Sequence, residues 1–162
     1  MLGELFDFEK GNQNNMSTLS YGETPLVSAK KDNNGYKAFV ENNGKKCFGG
    51  CRLTLNNDGD GGAGIAYYQP KDFMLDSHVT ALNHKQVIDK YALLYMSYCI
   101  TKQRSKFGHG YSITGNRLHT FRIILPVDKK GNPDYDYMGA YMHNEETKCL
   151  KRYLDYLEKK MC

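Results

Sequence analysis

The spacing of apolar residues changes once along this chain, near residue 85, and that change restricts the fold more than any other feature. Before it, short runs are separated by turn chemistry: Lys30-Lys31-Asp32-Asn33-Asn34-Gly35, Asn42-Asn43-Gly44 and the glycine-rich connection from Asn56 to Gly64. Asn and Gly tolerate left-handed backbone angles, so such clusters end strands and start hairpins. The predicted strands are residues 25–29, 36–40, 51–55, 65–68 and 78–82. Residues 1–8 alternate apolar and polar side chains and fit a short helical turn or a strand, running into the polar loop at residues 10–15.

From Lys85 to Lys102 the apolar residues Val87, Ile88, Tyr91, Leu94, Tyr95, Tyr98 and Cys99 recur at three and four, which predicts a helix with a broad buried face. Phe121 to Val127 reads as one more strand, bounded by Pro126. Asn132-Pro133-Asp134 has the chemistry of a helix start, and Leu150, Leu154, Leu157 and Met161 continue at spacings of four, three and four. That apolar seam covers barely two heptads, too few for a coiled coil alone. Strands first, helices late and no βαβ alternation predict an α+β fold.

Length and charge bound the rest. At 162 residues the chain is long enough for one domain with a real core. No run approaches a transmembrane span and no basic-then-apolar leader opens the sequence, so a soluble, cytoplasmic protein is expected. Five cysteines, an odd set without secretory context, are expected as reduced thiols. The net charge is only +4, but it is unevenly placed. Between Thr101 and Val127 stand Lys102, Arg104, Lys106, Arg117 and Arg122, with His109 and His119 and no carboxylate. Such a tract faces a polyanion without cancelling its own charge, and nucleic acid is the natural polyanion. Phe107-Gly108-His109-Gly110-Tyr111 interleaves glycine and aromatics with these charges, as a loop does.

The order of several short motifs resembles a known family. They are Gly3-Glu4-Leu5-Phe6, Asn33-Asn34-Gly35-Tyr36, the run Asp60-Gly61-Gly62-Ala63-Gly64-Ile65-Ala66-Tyr67-Tyr68-Gln69, and Leu125-Pro126-Val127 followed by Gly131-Asn132-Pro133-Asp134-Tyr135. Together they resemble the target recognition domain of restriction–modification specificity subunits, of type I and type IIB-like systems. The resemblance implies an α+β domain that binds double-stranded DNA sequence-specifically, is not itself an enzyme, and serves methyltransferase and restriction subunits. It implies a recognition domain over residues 1–143 and the start of a spacer or dimerisation helix over 144–162. Full-length members carry two such domains and two long helices; this chain has one domain and the beginning of one helix. S-adenosylmethionine would belong to the partner methyltransferase, with no cofactor in this chain.

Recognition needs cations and small donors on phosphates, and planar side chains on base edges. The loops supply Lys10, Asn12 and Gln13; then Lys30, Lys31, Asn33, Asn34 and Tyr36; then Lys102, Arg104, Lys106, His109, Tyr111 and Arg117. Asn and Gln pair with adenine and Arg with guanine, so Gln13, Asn34 and Arg104 are the expected base readers. Leu150, Leu154, Leu157 and Met161 are the expected partner-binding or self-association seam.

Other signals are weaker. The run from Asp58 to Gly64 lacks the Gly-Lys-Ser/Thr of a phosphate loop and the closing Glu of a calcium loop. Cys47 and Cys51 have no second ligand pair at zinc spacing. The string Pro133-Asp134 with Glu146-Thr147-Lys148 has the residue types of a Mg²⁺ nuclease, two acids for the metal and a lysine for the water. A nuclease using Asp134, Glu146 and Lys148, or a non-catalytic regulatory module, is the alternative expectation. No methyltransferase cofactor or catalytic loop is visible.

Overall fold

The computed structural model describes residues 1–13, 19–42, 44–59, 62–108 and 110–161. The chain opens with a helical turn, α1 (Leu2–Leu5), continuous with strand β1 (Phe6–Lys10), so the first segment is both of the elements expected. Strands β2 (Tyr21–Val27), β3 (Tyr36–Val40), β4 (Cys47–Phe48), β5 (Arg52–Asn56), β6 (Ala66–Gln69), β7 (Phe73–Leu75) and β8 (Val79–His84) follow. Then come the helices α2 (Lys90–Thr101), α3 (Gly115–Thr120) and α4 (Tyr135–Met161). The α+β expectation holds.

One sheet has the order β1-β8-β5-β6, all antiparallel; the other has the order β3-β2-β7-β4, with β2 and β7 parallel. Strand pleating sends successive side chains to opposite faces, and β8 shows the consequence. Leu82 joins Phe6, Leu53, Leu55, Met96 and Ile100 under the helices. Its neighbour Ala81 joins Val27, Phe73 and Leu75 between the two sheets. The layers are therefore helices, sheet, sheet.

Strand β6 is an edge, and an uncovered edge leaves its backbone groups unpaired. Here α2 supplies the partners: Ser97 Oγ donates to the Ala66 carbonyl at 2.7 Å, and the Ala66 N–H donates to Thr101 Oγ1 at 3.0 Å. The face of α2 against the sheet is Ala92, Leu93, Met96, Ser97 and Ile100. That corrects the expected face. Tyr91 and Tyr95 instead meet α4, where they lie edge-on to His143 and Tyr141. Val87 precedes the helix and is fully exposed. A helix packed on two sides carries two apolar stripes, and the tyrosine stripe was the more conspicuous one.

Two further expectations change. Residues 121–127 form no strand among the described residues; the segment is extended, with an isolated bridge between Val127 and Pro133, and Ile124 is 88% exposed. Its carbonyls are taken by other elements instead: that of Phe121 accepts the Leu2 N–H at 2.8 Å and that of Arg122 accepts the Gln103 side-chain amide at 3.1 Å. The expected division at 143/144 falls within one continuous helix, since α4 runs from Tyr135 to Met161. Asp134 caps that helix, its Oδ1 accepting the Tyr137 N–H at 2.9 Å. The first turns of α4 pack on α2 as far as Glu146, which accepts the Tyr91 hydroxyl at 2.6 Å. Beyond it the side chains turn to solvent: Leu150, Tyr153 and Leu154 are each more than half exposed and Met161 is 86% exposed.

Candidate nucleic-acid interface

Antiparallel pairing places the C-terminal ends of β1 and β5 beside the N-terminal ends of β8 and β6, as Lys10 opposite Thr80 and Leu55 opposite both Thr80 and Ala66 record. Connections from distant parts of the sequence therefore leave the first sheet at one end. Hydrogen bonds tie them together there. Gly11 N–H donates to the Val79 carbonyl at 2.9 Å, and Asn57 N–H to the His78 carbonyl at 2.9 Å. Asn56 Nδ2 donates to the Lys30 carbonyl at 2.9 Å, drawing in the turn after β2.

Asn57 is the centre of this end. Its Nδ2 donates to the Ile113 carbonyl at 2.8 Å, its own carbonyl accepts the Ile113 N–H at 2.8 Å, and its Oδ1 accepts the Thr80 hydroxyl at 2.8 Å. The residue is buried and bonds strand β8 to the loop that carries the basic tract. Close backbone approaches hold the next part of that loop. Gly64, at φ 76°, lies so near residues 104–107 that a Cβ there would meet Phe107 Cδ2 at 2.9 Å and Arg104 Cα at 3.0 Å. Only glycine combines that angle with that approach.

The five cations of the tract, Lys102, Arg104, Lys106, Arg117 and Arg122, all face solvent. They do not all face it together. Arg104 stands by the glycine-rich turn, near Tyr67; burial pushes the Tyr67 phenol up, Asp32 adds to the rise and the Arg104 charge opposes it. Arg117 lies over the Tyr111 ring at 4.2 Å. Lys102 lies over Tyr98 at 5.1 Å, toward the cleft between α2 and α4. Lys106 donates to Gln103 Oε1 at 2.6 Å and sits near the Phe121 ring.

The other expected residues divide in the same way. Lys10, Asn12, Lys31 and Asn33 are exposed. Lys10 and Thr114 share a shallow groove with Asn57, Thr80 and Gly115, so the first and third loops meet directly. Lys30 is half-buried, its ammonium donating to the Tyr36 carbonyl at 3.3 Å, and it borders an open cavity of about 450 Å³ with Lys37, Asp58, Asp76 and His78. His109 lies outside the described residues.

Three expectations need correction. Gln13 is only 2% exposed, because its backbone pairs alongside β7: its N–H donates to the Leu75 carbonyl at 3.0 Å and its carbonyl accepts the Ser77 N–H at 3.2 Å. It reads as an interior residue, not a loop side chain. Asn34 is half-buried and its Nδ2 is engaged by the Tyr68 carbonyl at 3.0 Å and Gln69 Oε1 at 3.2 Å, closing the outer side of β6. Tyr36 packs against the core between the sheets. These three anchor the surface and do not reach out from it.

The nuclease alternative also fails on geometry. Asp134 caps α4, Glu146 holds Tyr91, and Lys148 is paired with Glu145 at 2.6 Å. Glu146 follows Asp134 by twelve residue steps, a rise of roughly 18 Å along the helix, too far to share one metal ion.

Asn57 was not singled out in the sequence, nor were Lys37 and the pair His78–Asp58, whose Nδ1 and Oδ1 are 2.7 Å apart. The available signal for Asn57 was the run Asn56-Asn57-Asp58 at the end of an apolar strand. Amides at a strand end have no ladder partner and look for loops to hold.

A family model described as type I restriction modification DNA specificity domain matches residues 1–159. The chain belongs to this family. Among curated relatives, the specificity subunit S.BcgI of a type II restriction enzyme from Heyndrickxia coagulans is 28% identical over 152 residues, covering 93% of this chain and 44% of that protein. Solved structures share the fold. The HsdS subunit from Thermoanaerobacter tengcongensis superposes with a TM-score of 0.65 at 19% identity over 94% of this chain and 38% of that one. The type I S subunit from M. genitalium gives 0.59 at 16% identity, over 98% of this chain and 41% of that one. A chain from a structure describing complex assembly of the type I R-M system gives 0.67 at 18% identity, over 98% and 41%. This specificity domain thus spans less than half the length of each of these relatives. Among the described residues, no helix of the domain is long and apolar enough to cross a membrane.

Proposed function

We propose that this specificity domain reads a short sequence in double-stranded DNA for a restriction–modification system. In this reading it acts as the specificity subunit or half-subunit and directs partner methyltransferase and restriction subunits to their site. The chain supplies no chemistry of its own; S-adenosylmethionine and DNA methylation belong to the partner. The observation that carries the reading is the meeting of loops at one end of the first sheet. Lys10, Asn12, Lys31, Arg104 and Tyr111 are exposed on the segments that the bonds of Asn56 and Asn57 draw to this end.

An irregular cationic surface made of several loops suits a duplex. Lysines hold phosphates, while Arg, Asn and Tyr reach base edges. The test is selection of bound sequences from random duplexes, followed by affinity measurement across a salt series. Specific reading gives an enriched short motif and a steep loss of affinity with salt. Equal weak binding to every duplex would reduce the function to general DNA affinity, and no binding at low salt would leave a protein–protein module.

The outer half of α4 favours a second element of the same reading. Fifteen residues follow Glu146 in the helix, about 22 Å of length, and they carry Leu150, Leu154 and Met161 to solvent with Leu157 half-buried beside them. This seam is the proposed dock for partner subunits or for a second copy, which would supply the second recognition domain of a split target. Sedimentation of the chain over a range of concentrations tests the second copy.

A further inference from the structure

Residues 107–108 and 110–117 are held by more contacts than a loop that merely displays charge requires. Gly108 and Tyr111 exchange backbone hydrogen bonds, the Tyr111 N–H donating to the Gly108 carbonyl at 3.0 Å and the Gly108 N–H donating back at 3.3 Å. The Tyr111 ring lies 6.3 Å from that of Phe107 and within 15° of parallel. Phe107 is rooted in turn, edge-on to the buried Phe121 at 5.1 Å and hard against Gly64. The Arg117 guanidinium covers the Tyr111 ring at 4.2 Å while Nη1 donates to the Ser112 carbonyl at 2.6 Å. Two residues on, Ile113 is fully buried and bonded to Asn57. Yet Tyr111 itself remains 52% exposed.

A ring held this firmly and left half in solvent is prepared for contact. Tyrosine has two χ angles, and here stacking removes most of that freedom before any ligand arrives, so ordering it costs little on binding. Arg117, whose fork is already engaged by a ring and a carbonyl, is poorly placed to serve a phosphate as well. We infer that Tyr111 is the base-edge reader of this loop and that Arg117 is its positioning residue rather than a backbone contact. The inference rests on the DNA-reading function proposed above and names which side chain of the tract carries sequence information.

The test uses the full chain, its selected duplex and a scrambled duplex of the same length. Tyr111→Ala and Arg117→Lys should each lower the ratio of the two affinities by roughly tenfold, the scale of one lost base contact, with the salt dependence unchanged. Lysine keeps the charge but not the planar fork, so it separates positioning from charge. Combining the two substitutions should add nothing further, because both remove the same contact. Tyr111→Phe keeps the stack and should erase the preference at one position of the motif only. Melting temperatures near that of the unaltered chain establish that each variant is folded.

Unchanged discrimination in Tyr111→Ala overturns the inference. So does an Arg117→Ala protein that weakens on both duplexes equally with a shallower salt dependence and is restored by Arg117→Lys, the behaviour of a phosphate contact. An unaltered chain that discriminates no duplex defeats the DNA-reading function itself, a distinct result.

Discussion

Asn57 and Ile113 exchange hydrogen bonds in both directions at 2.8 Å, the amide of one residue clasping the peptide of the other across 56 positions of sequence. Thr80 completes the clasp from the neighbouring strand. A loop of glycine, aromatics and cations is thereby fastened to the end of a sheet. Asn57→Ala removes both side-chain bonds and leaves the Ile113 carbonyl and Thr80 hydroxyl without partners in the interior. We expect a loss of about 1–3 kcal/mol, read as a lower melting temperature. Hydrogen exchange should quicken over residues 107–114 first.

Gly64 makes the same attachment from the other side. A methyl group there meets the Arg104 backbone as well as the Phe107 ring, at a φ of 76° that L-residues rarely adopt. Gly64→Ala is expected to cost about 1–3 kcal/mol. It should also displace residues 104–107, so DNA affinity falls by more than stability alone accounts for.

The exposed cations should act differently from the anchors. Lys10→Gln, Lys31→Gln and Arg104→Gln are expected to leave the melting temperature almost unchanged. If Lys10 and Lys31 hold phosphates, each of those two substitutions lowers the salt slope of binding by about one. Asn34→Ala is expected to do the reverse. It forfeits the bonds to Tyr68 and Gln69 and should lower stability by about 1–2 kcal/mol without changing that slope.

His84 supplies a pH dependence at the opposite end of the first sheet. Its ring lies edge-on to Phe6 at 5.1 Å and Tyr135 at 5.2 Å, and burial holds its pKa below the ordinary 6.5, opposed by a hydrogen bond with the Gln86 backbone. The folded protein therefore resists protonation that the unfolded chain accepts. Its contribution is complete above pH 6.5 and declines as pH falls from there toward the lower folded-state value. Thermal melts across about pH 5 to 7 should show a steeper acid-side loss for the natural protein than for His84→Gln.

The outer seam of α4 contributes little to the domain that carries it. Leu154 is 57% exposed, so Leu154→Glu should change the stability of the isolated domain by less than about 0.5 kcal/mol. Any assembly through the seam should weaken, as sedimentation or co-purification with partner subunits would register.

Much of this was legible in the residues because local chemistry decides it. Asn-Gly turns, period-two runs such as Leu53-Thr54-Leu55 and the start signal at Asp134 depend on neighbours in sequence, and β5, β3 and α4 lie where those signals put them. An acid-free basic tract needs no fold to be seen, and its cations are exposed as such charge requires. Family order of motifs carried the class of function.

What sequence could not settle is which polar side chains stay in solvent. Gln13, Asn34 and Asn57 are the same kind of residue, short amides beside turns. Pairing of distant strands turned all three inward, because the backbone groups at sheet ends and edges need partners that only the assembled layers bring within reach. In the same way the chain alone determined that α2 would be a helix. Only the packing of the sheet on one side and α4 on the other decided that Ala92 and Met96 face the core while Tyr95 meets Tyr141. Burial is a property of three-dimensional neighbours, and no local pattern contains it.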